Sequence, residues 1–359
     1  MQPLHGLRIL EFDGLGPVTF AGMMLADMGA DVLRLSRSAA AGAGVFDQVG
    51  GQVLHRGRRA VPVDLKDPAD RDHILALVDQ ADAVIEGFRP GVMERLGLGP
   101  DVLLAHKPAL VFGRVTGWGQ TGPLAQTVGH DLNYIGLSGL LHAMGDGDRP
   151  PAPPLNLVGD YGAGAMMLVA GVLAGVIAAR ATGQGRVVDA AMTDGTALLG
   201  GLFQALRGQG LWSDARGENL LDGGAPFYRC YACSDGAFVA VAALEPRFFA
   251  ALLHGLDIDP ADVVQHDRAG WPALQARLTA LFAQRSREAW CAHFADSEAC
   301  VTPVLSLAEA PHHPHNLARG TFAHDLPGPA PRFDGRTAAP GGAKVATLDE
   351  VLDAWGGAR

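Results

Sequence analysis

The sequence predicts an α/β chain in two lobes: a large one on a mostly parallel, doubly wound sheet, and a smaller α/β one. Three observations carry that expectation. The 359 residues exceed one typical domain, and 48% of them are hydrophobic, enough to fill a substantial core. Through the first half, short apolar runs alternate with helical patterns, which is how strands joined by crossover helices read. Residues 209–226 then turn rich in Gly, Asp and Asn, and the stretch after them reads as a hairpin.

Leu7 to Phe12 reads as a strand, Pro17 to Met28 as a helix and Asp31 to Leu35 as a second strand, a β-α-β opening. Apolar runs at Val61 to Val63, Ala83 to Ile85 and Leu110 to Phe112 alternate with helical patterns such as Pro68 to Gln80, a Rossmann-like layout. The turn after the first strand is Asp13-Gly14-Leu15-Gly16-Pro17 and lacks the G-x-G-x-x-G of a dinucleotide site. Residues 161–179 carry no charge and hold Gly171 and Gly175 in a G-x-x-x-G arrangement. Both a membrane span and a buried core helix read this way; the Gly and Ala content and the lack of a second span favour the core helix.

A Gly183-Gln184-Gly185 turn leads to a strand at Val187 to Met192 and a helix through about Arg207. Phe227 to Ala242 reads as a hairpin turning at Ser234-Asp235-Gly236. Amphipathic helices follow at Trp271 to Gln284 and Ser286 to Ala295, then a Pro- and Gly-rich tail with a helix near Leu348 to Ala354. The expected division is a large domain over 1–200, a linker over 201–226, a small α/β domain over 227–310 and a tail over 311–359.

A net charge of −10 offers no diffuse basic face, which argues against nucleic acid as a partner and requires any anionic ligand to be held locally. Arg34, Arg37, Arg56, Arg58, Arg59 and Lys66 cluster early, with Arg89 and Arg95 a little later, and the guanidinium fork matches phosphate oxygens. The cysteines, Cys230, Cys233, Cys291 and Cys300, are too few for a disulfide framework, so a reducing cytoplasm is expected. Cys230 and Cys233 with His312, His313 and His315 depart from finger-type spacing, so no metal site is expected. The amino terminus lacks a signal-peptide pattern and the chain ends without a peroxisomal tripeptide.

Three residues draw attention for chemistry. His130 stands in Gly129-His130-Asp131-Leu132-Asn133-Tyr134, after the glycine-punctuated Thr116 to Pro123 loop, and is a candidate acid or base as well as a candidate structural histidine. Asp160 precedes the charge-free helix and reads as its N-cap; the positive end of that helix would also favour charge developing on a nearby oxygen. Glu245 ends an apolar strand of the small lobe, either simply solvated or placed to orient His130.

These pieces occur together in one family. Leu4-x-Gly6-Leu7-Arg8, Gly29 to Arg34, Val63 to Lys66, Glu86 to Gly91, Gly117 to Pro123, Gly129 to Tyr134, Asn156 to Asp160, Gly183 to Asp194 and Leu221 to Pro226 resemble, in order, the α-methylacyl-CoA racemase branch of the family III CoA-transferase superfamily. The resemblance covers nearly the whole chain. It implies a Rossmann-like large domain, a small α/β domain, a tail returning to the large domain, and an interlocked homodimer whose sites lie between subunits. It further implies that His130 and Asp160 act as paired acid and base on the α-carbon of a 2-methylacyl-CoA thioester, with Glu245 paired to His130. CoA contacts would fall on Arg37, Val63, Asp64, Leu65, Lys66, Gly87, Phe88, Arg89, Arg95, Gly129, Asp131, Leu132, Asn133 and Tyr134. No cofactor or membrane is implied, CoA entering as part of the substrate. The enolate would rest on backbone donors near the start of the Asp160 helix and the acyl chain on Met166 and Met167. A transferase using Asp160 as nucleophile is the alternative enzyme; a CoA-binding scaffold without chemistry is the non-enzymatic one.

Overall fold

β1 (Arg8–Phe12), α1 (Pro17–Asp27) and β2 (Asp31–Arg37) open the chain in the computed structural model, which describes residues 2–37, 51–335 and 341–356. They are followed by β3 (Arg59–Val63), α2 (Pro68–Val78), β4 (Ala83–Glu86), α3 (Pro100–His106) and β5 (Val111–Thr116). Then come α4 (Asp131–Leu137), α5 (Met166–Thr182), β6 (Arg186–Ala191), α6 (Met192–Leu199) and α7 (Gly201–Gly208). The last third holds β7 (Tyr228–Ala232), β8 (Phe238–Ala242), α8 (Pro246–Gly255), α9 (Trp271–Phe282), α10 (Arg287–Phe294) and β9 (Val301–Val304). A short pair, β10 (Phe322–Ala323) and β11 (Leu326–Pro327), precedes β12 (Lys344–Val345) and α11 (Leu348–Gly356).

Seven strands form one sheet in the order β12-β3-β2-β1-β4-β5-β6, with every pairing parallel. The chain leaves β1 toward β2 and β3, then crosses back to place β4 on the other side of β1. At such a switch point the connecting loops diverge and leave a crevice at the carboxyl ends of the strands, the usual ligand position in open α/β sheets. Alternate side chains feed opposite faces. Ile9 packs with Val18, Leu25, Val111 and Leu168, whereas Leu10 and Phe12 pack with Ile74, Leu77, Phe112 and Trp355.

The stretch Leu157–Thr182 is long and apolar enough to cross a membrane, but its glycines are used inside the protein. A Cβ on Gly171 would stand 2.5 Å from Val188 Cγ1, and one on Gly175 would stand 2.9 Å from Val111 Cγ1. The G-x-x-x-G pattern therefore lets α5 lie close on β5 and β6.

Two units emerge: residues 1–139, 154–200 and 318–359 form one, and residues 140–153 and 201–317 the other. Residues 201–208 are helix α7 of the second unit rather than linker. Segment 140–153 joins that unit although it lies within the range expected for the large domain. Its backbone is held by Arg216, whose guanidinium donates to the carbonyls of His142 (2.8 Å), Asp146 (3.2 Å) and Arg149 (2.7 Å). The second unit's sheet is antiparallel, β7-β8-β9, over a core that includes Phe227, Tyr231, Leu278, Phe282 and Trp290. The tail rejoins the first unit at residue 318 rather than 311. There β12 extends the sheet beside β3, α11 buries Val351 and Trp355, and Trp355 Nε1 donates to Asp31 Oδ2 at 2.8 Å.

Candidate active site

A cavity of about 740 Å³ opens at the switch point, lined by the turn after β1 (Gly14 to Pro17), the stretch after β4 (Gly87 to Pro90) and the end of β5 with its loop (Val115 to Trp118). His130, Tyr134, Asn156, Asp160 and Met192 line it as well. The motif without a dinucleotide fingerprint thus still serves the place where this layout keeps its ligand. Gly16 sits at φ 68°, a left-handed conformation that favours glycine, and a Cβ there would stand 3.2 Å from Asp160 Oδ2. The chain thereby enters α1 directly beneath that carboxylate.

Asp160 is not an N-cap. It lies inside a π-helical stretch, Leu157–Ala165, that begins after Asn156 and runs into α5. The wide turns of such a stretch are frequent at functional sites. Its N–H donates to Asp131 Oδ1 at 2.6 Å, and its carboxylate accepts from Asn156 Nδ2 at 3.0 Å. Burial pushes the Asp160 carboxyl above the usual carboxylate range and the Asp131 charge adds to the rise, against the Asn156 hydrogen bond and the His130 side chain.

His130 holds the N-cap position of α4 in extended conformation, its N–H donating to Asn133 Oδ1 at 3.0 Å. Beneath it Tyr134 is buried, its hydroxyl donating to the Gly129 carbonyl and its ring meeting Trp118 edge-on at 4.8 Å. Burial raises the Tyr134 hydroxyl, as do the charges of Asp160 and Asp131, while Arg89 opposes them. The loop between is pinned at both flanks: Trp118 Nε1 donates to Thr127 O at 3.1 Å and Gln126 Nε2 to Pro90 O at 3.2 Å.

Of the expected site residues, Gly87, Phe88, Arg89, Gly129, His130, Tyr134 and Asp160 come together around this cavity. Others have different work. Asp131 is buried, and one carboxylate oxygen is spent on the Asp160 N–H, so it braces the site from behind. Asn133 caps α4, Leu132 is an exposed leucine, and Arg95 stands outside the cavity at the end of a short helix. Val63 is buried in the core and Leu65 packs against it, while Asp64 and Lys66 are exposed; none of the four lines the cavity. The side chain of Arg37 lies outside the described residues.

Most of the early arginine cluster is consumed internally. Arg34 pairs with Asp13 (2.9 Å), Arg56 with Asp27 (2.6 Å) and Arg59 with Asp31 (2.7 Å), and buried Arg58 pairs with buried Glu11. Among the described residues, Arg89 is the member that lines the cavity. Neither Met166 nor Met167 does; the methionine in the wall is Met192, and Leu15 and Val128 add apolar surface. Glu245 belongs to the second unit, exposed at the N-cap position of α8 and making no capping bond. Sequence reasoning passes over Asn156, Thr19 and Thr116 as site residues; the signal available is their position near the carboxyl ends of parallel strands or beside Asp160.

Residues 4–338 match CoA-transferase family III. The chain is 41% identical over 332 residues to the α-methylacyl-CoA racemase of Mus musculus, covering 91% of this chain and 85% of the relative. It is 39% identical over 320 residues to that of Homo sapiens, covering 89% and 82%. A CAIB/BAIF family protein of Brucella suis has the same fold, with a TM-score of 0.81 at 24% identity over 98% of this chain and 99% of that one.

Proposed function

The chain belongs to CoA-transferase family III, and within that family we propose that it is an α-methylacyl-CoA racemase, interconverting (R)- and (S)-2-methylacyl-CoA. The observation that carries this reading is the convergence of two groups of different chemistry, the His130 imidazole and the Asp160 carboxyl, on one cavity at the switch point. A proton beside a thioester is weakly acidic, so its removal needs a base on one face, a donor on the other, and stabilisation of the enolate. His130 and Asp160 exchange these roles according to the enantiomer bound. The raised Asp160 carboxyl fits a group that must hold a proton in one direction of turnover, and Asn156 orients it.

The Asp160 N–H is already spent on Asp131, so the enolate draws on other donors. The N-terminus of α1 suits that role: Pro17 has no N–H, but the first-turn N–H groups of Val18 and Thr19 lack intrahelical partners, Gly16, Pro17 and Thr19 line the cavity, and the helix has no side-chain cap and no acidic residue in its first turn. Arg89 holds a phosphate of CoA, and the acyl chain lies against Leu15, Val128 and Met192. The reading invokes no separate cofactor, and four free cysteines fit a reducing cytoplasm as its compartment.

A homodimer completes the proposal, with the partner's Glu245 orienting His130. Supporting it, the first unit leaves Leu155, Leu157, Ile177 and Leu198 between 53% and 73% exposed, an apolar surface of the kind partners cover. The test is chiral analysis of one 2-methylacyl-CoA enantiomer in heavy water with no acceptor acid. Interconversion with deuterium entering the α-carbon is expected. Hydroxylamine trapping of an acyl adduct on Asp160, with the α-proton retained, would replace racemization by acyl transfer.

A further inference from the structure

Asp131 does not line the cavity, yet it is tied to both members of the acid–base pair. It follows His130 directly as the first residue of α4, and its Oδ1 accepts the Asp160 N–H at 2.6 Å. Glycine at 159 permits that approach, since a Cβ there would stand 2.5 Å from the same oxygen. Asp131 is 6% exposed, and its Oδ2 is sealed from solvent with no hydrogen-bond partner among the described residues. Glu11 and Glu86, buried in the same unit, each meet an arginine, whereas no described arginine or lysine pairs with Asp131. Burial, the Asn156 amide, Asp131 and His130 are what act on the Asp160 carboxyl. The elements packed against its stretch carry Asp27 on α1, Arg180 on α5, Asp194 on α6, Arg114 on β5, and Arg186 and Asp189 on β6, none of them among those influences. The Tyr134 hydroxyl, within reach of the Asp160 charge from α4, is spent on the Gly129 carbonyl.

We propose that Asp131 is a positioning residue whose buried charge, fastened behind Asp160, keeps the proton that Asp160 and His130 share from settling on His130 alone. The proposal rests on the racemase reading of this cavity. A site that takes the α-proton from either face needs two forms of equal net charge. One enantiomer requires Asp160 ionised and His130 protonated; the other requires Asp160 protonated and His130 neutral. An unperturbed carboxyl gives up its proton about 2.6 pH units below an imidazole, so an unassisted pair would sit almost wholly in the first form. A like charge held against Asp160 disfavours its ionisation and fills the second form. The hydrogen bond to the Asp160 N–H is what holds that charge in place.

Asp131→Asn keeps an oxygen for the Asp160 N–H and removes the charge. In the ligand-free variant the Asp160 carboxyl, followed by carbon NMR and assigned through Asp160→Asn, should ionise at lower pH than in wild type. Turnover should change differently for the two enantiomers. His130→Ala identifies the one that faces Asp160, as the enantiomer still exchanging its α-proton in heavy water. For that enantiomer kcat should fall roughly tenfold, the low end of what a neighbouring charge does to an ionisation, with KM unchanged. For the other, KM should rise by the same factor with kcat nearly kept, because two thioesters alike in energy must keep equal kcat/KM. Asp131→Ala, which loses the hydrogen bond too, should show the same split with an added fall in kcat for both. A merely structural brace would lower kcat alike for both enantiomers in either variant. That pattern, or an Asp160 that ionises at unchanged pH in Asp131→Asn, would overturn the proposal. The titration is read without turnover, so it reports on Asp131 even where the heavy-water experiment rejects racemization.

Discussion

Glu11 and Asp160 are both carboxyls that burial shifts toward the protonated form, yet one is locked and the other is available. Glu11 sits on β1 with no exposure, and Arg58 Nη1 donates to both its oxygens; no ligand can reach it. Asp160 is half-buried at the cavity wall, held by a neutral amide and faced by a second carboxylate rather than by a guanidinium. A perturbed carboxyl therefore marks function only when its partners leave the charge uncancelled and a ligand can approach.

Asp160→Asn should break the available side of that contrast most severely. It should lower kcat roughly 10²–10⁴-fold, the usual worth of a positioned acid or base. The protein should also become more stable. Asp160 has a raised folded pKa, so the folded state binds the extra proton and wild-type stability falls as pH rises from the unfolded carboxylate value, about 3.9, through the raised one. The thermal midpoint of Asp160→Asn should match wild type below that window and exceed it above. An equal offset at all pH values would mean the carboxylate is not strained by burial.

The locked side should respond in the opposite way. Arg58→Met leaves Glu11 buried without its cation and should cost about 3–5 kcal/mol in urea unfolding, with KM and kcat of the folded protein little changed. Replacing Glu11 as well, with Met, should recover most of that loss. A double variant no more stable than Arg58→Met would show that packing, not charge, is what the pair supplies.

That division is only partly legible in the sequence. Strands such as Ala83–Glu86 and helices such as Pro17–Asp27 announce themselves through local periodicity and an N-terminal proline. Strand Val301–Val304 escapes such a reading because four residues with a proline among them carry almost no period. His130 and Asp160 stand out as candidates. The bracing role of Asp131 does not, since its hydrogen bond spans 29 residues. The arginines mislead for the same reason: their acidic partners lie 21 to 47 residues away, so a cluster that looks like a phosphate site is a set of pairs. Asp160 reads as a cap because a π-helical stretch leaves no mark in apolar spacing.

Arg89 tests the phosphate assignment at intermediate size. It lines the cavity exposed, its charge felt at Tyr134, and none of the described acidic side chains forms an ion pair with it. Arg89→Ala should raise KM for the acyl-CoA roughly tenfold to a hundredfold, the worth of a charge-assisted hydrogen bond, and leave kcat nearly intact, because phosphate contacts bind ground and transition states alike. A loss in kcat alone would move Arg89 from binding to chemistry.

Arg59→Gln is the matching control and the smallest expected effect. Arg59 reads with Arg89 as part of one basic cluster, but its guanidinium meets Asp31 at 2.7 Å, with the two side chains 25% and 43% exposed. An ion pair so open to water is worth about 0.2–1 kcal/mol, and the Trp355 indole still donates to Asp31 when the arginine is gone. KM for the acyl-CoA should stay within about twofold, because no phosphate contact is removed. The unfolding midpoint should fall slightly, and less in high salt, where the lost attraction is screened in wild type as well. A KM rise comparable to that of Arg89→Ala would mean that Arg59 leaves Asp31 to grip the ligand, and that the early arginines form the anion site their spacing first suggested.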